Sequence, residues 1–283
     1  MIKHKKLFVA SFLIIITILV ITSCSVEKKM ALNFVKVNST RSILIFSPDH
    51  IFKVNQKTEL LDSLKIYDES KFDSVLYTHS IYLQYLNDSL FLANYVLGYT
   101  EEIASLGFTV YNQDEMDAFL EVDSNAYIAY IAQIEIEETY YDYRAGETIY
   151  GHYYYYDFEL NAIVINSLIE LKEYDKNGNG QQMYYATDLI SDDFEGDFHV
   201  DIFAGEMRYV FNIDTLETEN LYDFAFLLGR KYASYTMDLL VNNHLDENVP
   251  KGQRSETYWR YDPYRKEFFP EEESKFIPMD EEP

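Results

Sequence analysis

The sequence predicts an α+β fold in which helices pack against a single mixed, mainly antiparallel sheet. Some segments repeat apolar residues every three or four positions, as along one face of a helix. Others are short apolar runs, or alternate apolar with polar residues, as strands do. Along the chain these segments follow the order strand, helix, strand, short helix, three strands, helix, which is typical of one sheet with helices on one side or both.

The first strand is predicted at residues 41–49, an apolar run that ends at a proline. Residues 58–106 then carry a helical apolar pattern, with a break before the second half, where Asp88 or Ser89 is expected to cap a new helix. Gly107 is expected to end that helix, because glycine adopts the left-handed conformation at little cost.

The middle of the chain predicts more strands. Residues 108–111 form a short strand and residues 114–120 a short helix. Residues 126–138 alternate apolar and polar side chains, which indicates a strand with one buried face. Residues 158–174 are apolar on both faces near their middle, as expected of a central strand.

The last elements of the domain are a hairpin, an edge strand and a helix. A glycine-rich turn at 175–180 leads into a strand at 181–191 and so completes a hairpin. Residues 206–214 predict an edge strand of the same sheet. Residues 221–239 carry a helical apolar stripe, and Gly229 within it either allows close packing against the sheet or is simply tolerated.

Residues 1–23 are predicted to be an export signal peptide. Three lysines precede an apolar run at 7–21, and two small residues follow the run. The run is shorter than the roughly 20 residues that a membrane-spanning helix needs. We therefore exclude this segment from the fold.

Cys24 is the only cysteine of the chain. With the preceding Ile21-Thr22-Ser23 it resembles the lipobox of bacterial lipoproteins, and the resemblance implies cleavage before Cys24 and lipidation of its sulfur. The alternative is a stray cysteine in an uncleaved signal anchor. Because each buried acyl CH₂ contributes about 0.8 kcal/mol, several acyl chains would hold the protein firmly at a membrane. Residues 24–40 are then a lipidated anchor and linker.

The residues after the anchor bear on the side of the membrane. In Gram-negative gut-type bacteria, lipoproteins exported to the cell surface carry a short acidic cluster directly after the cysteine. Residues 25–29, Ser-Val-Glu-Lys-Lys, lack such a cluster. This pattern favours an outer-membrane lipoprotein that faces the periplasm.

Composition limits the class of partner. The chain has 48 Asp and Glu against 23 Lys and Arg, so nucleic acids and anionic membrane surfaces are poor partners for it. Aromatic residues make up 17% of the chain, which excludes intrinsic disorder as its general state. We expect a single folded domain at 41–245.

Two local features resemble a known group of envelope proteins. They are the passage Leu106-Gly107-Phe108-Thr109-Val110 after the long helix and the Asp-containing hairpin turn at 175–180. With the element order, they resemble the α+β accessory domain shared by the curli-secretion lipoprotein, the peptidoglycan-synthase activator lipoproteins and the amino-terminal domain of the translocation protein TolB. The resemblance covers roughly residues 41–245 and implies an accessory role in an envelope assembly.

We expect no metal site. Residues 175–180 begin like a calcium loop, but Ala186 stands where a bidentate glutamate would complete the coordination. The segment is therefore expected to be a hairpin turn. The acids of residues 192–197 could gather a hard cation, but in so acidic a chain they are expected to be solvated.

We also expect no enzyme and no cofactor. The sequence contains none of the usual hydrolase, zinc or phosphate-binding motifs. Asp49-His50 follows the first strand, where α/β sheets often place ligands, but a capping role for this pair is favoured.

The most unusual stretch is residues 151–159. It contains four consecutive tyrosines, which are the candidate binding residues: Tyr153, Tyr154, Tyr155 and Tyr156. An exposed row of such rings would stack on sugars or on side chains of a partner. The alternative is a two-faced strand in which alternate tyrosines pack inward.

Residues 246–283 change in character, because prolines and charges interrupt any helix. Residues 258–269 nevertheless are highly aromatic and include Trp259, the only tryptophan and a further candidate binding residue. Two interpretations remain open, a strap across the domain or a peptide that docks on a partner. Together, these features predict a lipid-anchored, non-catalytic envelope protein that binds other components, with a glycan-binding lipoprotein as the alternative.

Overall fold

The computed structural model describes residues 26–36, 41–122, 125–174, 182–201, 205–250, 252–271 and 277–278. The fold is α+β, as the sequence predicts. The signal peptide, Cys24 and the predicted turn at 175–180 lie outside the described residues. Among the described residues, no helix combines the length and the apolar character needed to span a membrane.

The chain alternates helices with strands. The helices are α1 (26–36), α2 (Glu59–Leu64), α3 (Phe72–Thr78), α4 (Asp88–Ser105), α5 (Met116–Leu120) and α6 (Thr218–Asn248), with short 3₁₀ turns at Glu69–Lys71 and Gln113–Glu115. The strands are β1 (Ser42–Phe46), β2 (Phe52–Asn55), β3 (Thr109–Tyr111), β4 (Ala126–Ile149), β5 (His152–Glu173), β6 (Gln182–Ser191), β7 (Asp193–Asp201), β8 (Glu206–Asp214), β9 (Tyr258–Asp262), β10 (Glu267–Glu271) and β11 (Ile277–Pro278).

The main sheet is mixed, in the order β11-β6-β5-β4-β1-β3, and β2 lies beside β4 on the same edge as β1. Strand β1 pairs in parallel with β3 and with β4, and β2 also pairs in parallel with β4. The pairs β4–β5, β5–β6 and β6–β11 are antiparallel. By length the antiparallel part dominates, because β4 and β5 pair along nearly their whole extent.

The prediction of a single sheet needs a correction. Among the described residues, β7 and β8 pair only with each other, and so do β9 and β10, so two hairpins accompany the main sheet. The predicted edge strand at 206–214 exists as β8, but it belongs to a separate hairpin. Strands β2 and β7 were not predicted, and β4 and β5 extend well beyond their predicted bounds.

Local sequence explains the ends of helix α4. The Asn87 side chain accepts the N–H of Leu90 at 3.1 Å, so the cap lies one residue before the predicted Asp88. Gly107 has φ +92°, which confirms its predicted role after this helix.

Helices α4 and α6 cross on one face of the main sheet at two glycines. A Cβ on Gly98 would lie 2.1 Å from the carbonyl oxygen of Phe226, and one on Gly229 would lie 2.1 Å from that of Tyr95. Gly229 therefore permits close packing, but against α4 and not against the sheet as predicted. The main core fills the space between these helices and the sheet.

The substitution Gly229→Ala is expected to lower the free energy of unfolding by about 1–3 kcal/mol, because two helix backbones must separate to admit one methyl group. Urea unfolding measures the change. The matched control is Gly146→Ala, whose Cβ would meet only the side-chain end of Tyr153. That hydroxyl can move aside, so the control is expected to change stability by less than about 1 kcal/mol. A Gly229→Ala protein as stable as the wild type would contradict the close crossing.

Helix α1 corrects the predicted linker at 24–40. Ala31 and Phe34 are buried in the main core, and the Arg41 guanidinium donates to the Phe34 carbonyl at 2.7 Å while lying over its ring. The folded part of the chain therefore begins no later than the first described residue, Val26.

The β9–β10 hairpin lies on helix α6. Trp259 is only 2% exposed, and Phe268 is also buried in the main core. Asn242 of α6 holds the backbone of Trp259, since its side chain accepts the Trp259 N–H at 2.9 Å and donates to its carbonyl at 2.7 Å. The hairpin thus packs as a strap across the domain.

Candidate functional site

Strands β4 and β5 form a hairpin that extends beyond the main sheet. The last residue of β4 paired with β2 is Glu138, and the pairing of β5 with β6 begins at Ala162. We call residues 139–161 the arm. Its turn is Tyr150-Gly151, with φ values of 51° and 83°, as in a two-residue type I′ turn. At about 3.4 Å per residue, the arm projects roughly 35 Å from the sheet.

The arm has two different faces, because successive side chains of a strand point to opposite sides. Tyr154 and Tyr156 lie on one face with Phe158, and Tyr153 and Tyr155 lie on the other. The structure therefore divides the four tyrosines into two pairs, as expected of a two-faced strand and not of a single exposed row.

A second hairpin, β7–β8, covers the face of Tyr154 and Tyr156. The ring of Tyr156 stacks on Tyr209 with centroids 5.5 Å apart and an angle of 16°. The ring centroids of Phe158 and Phe194 lie 4.6 Å apart, and those of Tyr154 and Phe198 lie 6.2 Å apart. We call β7–β8 the cover hairpin, since it shields one face of the arm and stiffens it.

The other face of the arm is open to solvent. Tyr153 and Tyr155 are 62% and 57% exposed, and their rings stack with centroids 6.4 Å apart. The guanidinium of Arg144 lies 4.5 Å from the Tyr155 ring centroid and pairs with Asp157 through two hydrogen bonds of 2.6 and 3.0 Å. This surface offers flat aromatic rings beside a fixed ion pair, which suits contact with a partner.

A buried polar network fixes the base of the arm. The Lys57 ammonium donates to Glu138 at 3.0 Å and to Asn161 at 2.9 Å. Glu138 also accepts the N–H of Tyr82, and Asp192 accepts from the Tyr82 hydroxyl and from Asn161. Burial, reinforced by Asp192, raises the pKa of Tyr82 above its ordinary value. The network therefore connects β2, β4, β5 and the loop before α4.

The network includes one of the acids of residues 192–197, which the sequence predicts to be solvated. Asp192 is buried and also accepts the N–H of Leu216, directly before α6. Asp193, Glu195 and Asp197 lie along β7, and among the described residues no group of acids and histidines is arranged to hold a metal ion. The burial of Asp192 corrects the prediction that it is solvated, whereas Asp193, Glu195 and Asp197 are exposed as predicted.

Two other sequence candidates lie elsewhere. Asp49 and His50 are exposed between β1 and β2, and the His50 ring contacts Phe52 edge-on at 4.7 Å. Trp259 is buried and donates its indole N–H to Glu27 at 2.8 Å. It therefore offers no surface to a partner, contrary to its selection as a binding residue.

The arm and the amino-terminal end of the described chain lie at opposite ends of α6. Glu27, three residues after Cys24, binds Trp259, which is held by Asn242. Helix α6 begins at Thr218, next to the base of the arm. Because a helix rises about 1.5 Å per residue, Asn242 lies about 36 Å further along α6. The arm continues beyond that end.

The comparisons with known proteins give no family for this chain. It matches no protein-family model, and no curated protein matches it either.

Proposed function

We propose that this chain is a lipid-anchored, non-catalytic protein of the cell envelope, which acts as a binding or accessory subunit with the arm as its contact surface. The arm carries the proposal, because it projects roughly 35 Å from the sheet and exposes stacked tyrosines. The resemblance of residues 21–24 to a lipobox supplies the anchor, and the position of Glu27 supports an anchor at the opposite end from the arm.

Strand edges support a protein partner. Among the described residues, no strand pairs with β4 beyond Glu138 or with β5 before Ala162 on their outer sides. The backbone of Asn161, at the base of the arm, is bound by Asp192. Beyond that residue the arm presents two long strand edges, which readily pair with a strand of another chain. No other strand among the described residues covers these edges. We therefore assign them to contact with a second envelope protein.

A glycan ligand is the second candidate. The rings of Tyr153 and Tyr155 lie side by side on the exposed face of the arm. Aromatic rings in such a position can stack on the apolar faces of sugars. In this case the side chains and not the strand edges make the contact. The two candidates therefore differ in their response to truncation of the tyrosines.

Photo-crosslinking in intact cells tests the proposal. A benzoylphenylalanine placed at Tyr155 is expected to give one recurrent protein adduct, identified by mass spectrometry. The same probe at Tyr67, which is 76% exposed on the main body, is the matched control and is expected not to give that adduct. The variant Cys24→Ala, which removes the lipidated residue, is expected to lose the adduct because the protein is no longer held beside its partner.

Two outcomes would contradict this function. Identical adducts from Tyr155 and Tyr67 would show that the arm has no special role. Adducts that persist in Cys24→Ala would show that the contact does not depend on a lipid anchor at this residue. Retention of the wild type, but not of Tyr153→Ala/Tyr155→Ala, on an envelope glycan would favour the second candidate instead.

A further inference from the structure

A cleft of about 610 Å³ lies between helix α6 and the β9–β10 hairpin, far from the arm. Although the chain carries 48 acidic and only 23 basic residues, four basic side chains line this one cleft: Arg230, Lys231, Arg260 and Arg265. Three carboxylates line it as well, those of Glu102, Asp262 and Glu271. The question is which of the cations are already neutralised.

Two of the four cations are firmly engaged. Arg230 donates to the buried carboxylate of Glu102 at 2.8 Å and to the Tyr264 hydroxyl at 2.9 Å. The hydrogen bond to Glu102 also raises the pKa of Arg230. Lys231 pairs with Asp188 on β6. These two residues fix one wall of the cleft and have little capacity left for a ligand.

The other two cations are only loosely paired. Within the described part of the chain, neither the Arg260 nor the Arg265 guanidinium makes a hydrogen bond. The nearest carboxylate oxygens are 3.9 Å from Arg260, on Asp238 and Glu271, and 3.8 Å from Arg265, on Asp262.

Asp238 is only a distant partner of Arg260. One of its carboxyl oxygens accepts the Tyr261 N–H at 2.7 Å, and the other lies 3.9 Å from the Arg260 guanidinium. Burial also raises the pKa of this carboxyl. Asp262 is likewise occupied, because it accepts the backbone N–H groups of Tyr264 and Arg265 in the hairpin turn. The two guanidinium groups therefore keep free donors directed at the same cleft.

We propose that this cleft binds a small anionic molecule through its carboxylate or phosphate group, with Arg260 and Arg265 as the donors. A guanidinium offers a planar fork of N–H groups that matches both kinds of oxyanion. Tyr264, which is 80% exposed, and Phe269 supply an aromatic wall for the rest of the ligand. The volume suits a small molecule, since such sites usually measure about 300–1,000 Å³.

Calorimetric titration of the full-length protein tests the site with three probes of similar size: phenyl phosphate, benzoate and the neutral benzyl alcohol. We expect at least one anion to bind and benzyl alcohol not to bind. A tighter phenyl phosphate would assign the site to phosphate-bearing ligands, and a tighter benzoate would assign it to carboxylates. The variant Arg260→Gln/Arg265→Gln is expected to weaken binding about tenfold or more, since it removes the charge-assisted donors.

The control variant is Arg208→Gln, an exposed arginine on β8 that pairs with Asp201. It removes one positive charge without touching the cleft, and its affinity is expected to equal that of the wild type. Equal affinity of the double variant and the wild type, with both folded by circular dichroism, would overturn the proposal. So would a wild type that binds neither anion. The function proposed for the arm does not depend on this result.

Discussion

The substitution Glu138→Ala is expected to lower the free energy of unfolding by about 3–5 kcal/mol. The side chain is fully buried, and its carboxylate accepts from the Lys57 ammonium and from the N–H groups of Ile81 and Tyr82. Removing it leaves a buried cation without its counter-charge, which costs more than the pair itself contributes. Urea unfolding followed by the fluorescence of the single tryptophan measures the loss.

A matched control and a double-mutant cycle sharpen this test. Glu147→Ala removes an exposed acid from the same strand and is expected to change stability by less than about 0.5 kcal/mol. Lys57→Met added to Glu138→Ala is expected to recover part of the loss, because it removes the unpaired charge. A Glu138→Ala protein within about 1 kcal/mol of the wild type would show that the network does not hold the arm.

That network illustrates what the sequence does not reveal. Lys57 and Glu138 lie 81 residues apart, and only the pairing of β2 with β4 brings them together. Charged residues are normally expected at the surface, so the sequence alone does not indicate that Lys57 and Glu138 form a buried pair. By contrast, Gly107 was predictable because its role depends on the helix immediately before it and not on distant contacts.

The arm was missed for a different physical reason. Tyrosine combines a large apolar ring with a polar tip, so it suits a buried face and an exposed face equally. The run at 153–156 therefore hides the alternation that otherwise identifies a strand. The useful signal was Gly151, since a glycine between two aromatic segments is a common position for a tight hairpin turn.

The cover hairpin did carry a readable pattern. Residues 193–198 alternate acidic residues with Phe194, Gly196 and Phe198, and such alternation is typical of a strand with one covered face. The acids of this stretch suggest a solvated loop, and only the residues between them indicate a strand. In the structure Phe194 packs on Phe158 of the arm. Recognising the alternation would have suggested two hairpins, but not which faces meet.

The substitution Trp259→Ala is expected to lower the free energy of unfolding by about 3–5 kcal/mol, because it removes a large side chain from the main core. It also removes the indole N–H that Glu27 accepts at 2.8 Å. Thermal unfolding followed by circular dichroism measures the effect without relying on tryptophan fluorescence. Trp259→Phe is expected to lose less, since it keeps most of the buried apolar area although it loses the hydrogen bond.

The dependence of stability on pH below neutrality reports the contribution of the hydrogen bonds that Glu27 accepts. Burial alone would raise the pKa of Glu27, but the hydrogen bonds from Ser255 and Trp259 and the nearby Arg254 lower it overall. A carboxyl with a lowered folded-state pKa stabilises the fold above its unfolded pKa of about 4.3, and this contribution is lost as the pH falls through the folded-state value. The stability difference between wild type and Glu27→Gln should therefore shrink on acidification below about pH 4.

Tyr264→Ala is the control for the strap, because this residue lies on the same hairpin but is largely exposed. It is expected to change stability by less than about 0.5 kcal/mol. If Trp259→Ala behaved like this control and instead lost a protein partner, the hairpin would act as a docking peptide. The burial of Trp259 and its contacts with Asn242 and Glu27 argue for the opposite result. In that case helix α1 and the β9–β10 hairpin stabilise each other, and together they close the end of the domain that lies opposite to the arm.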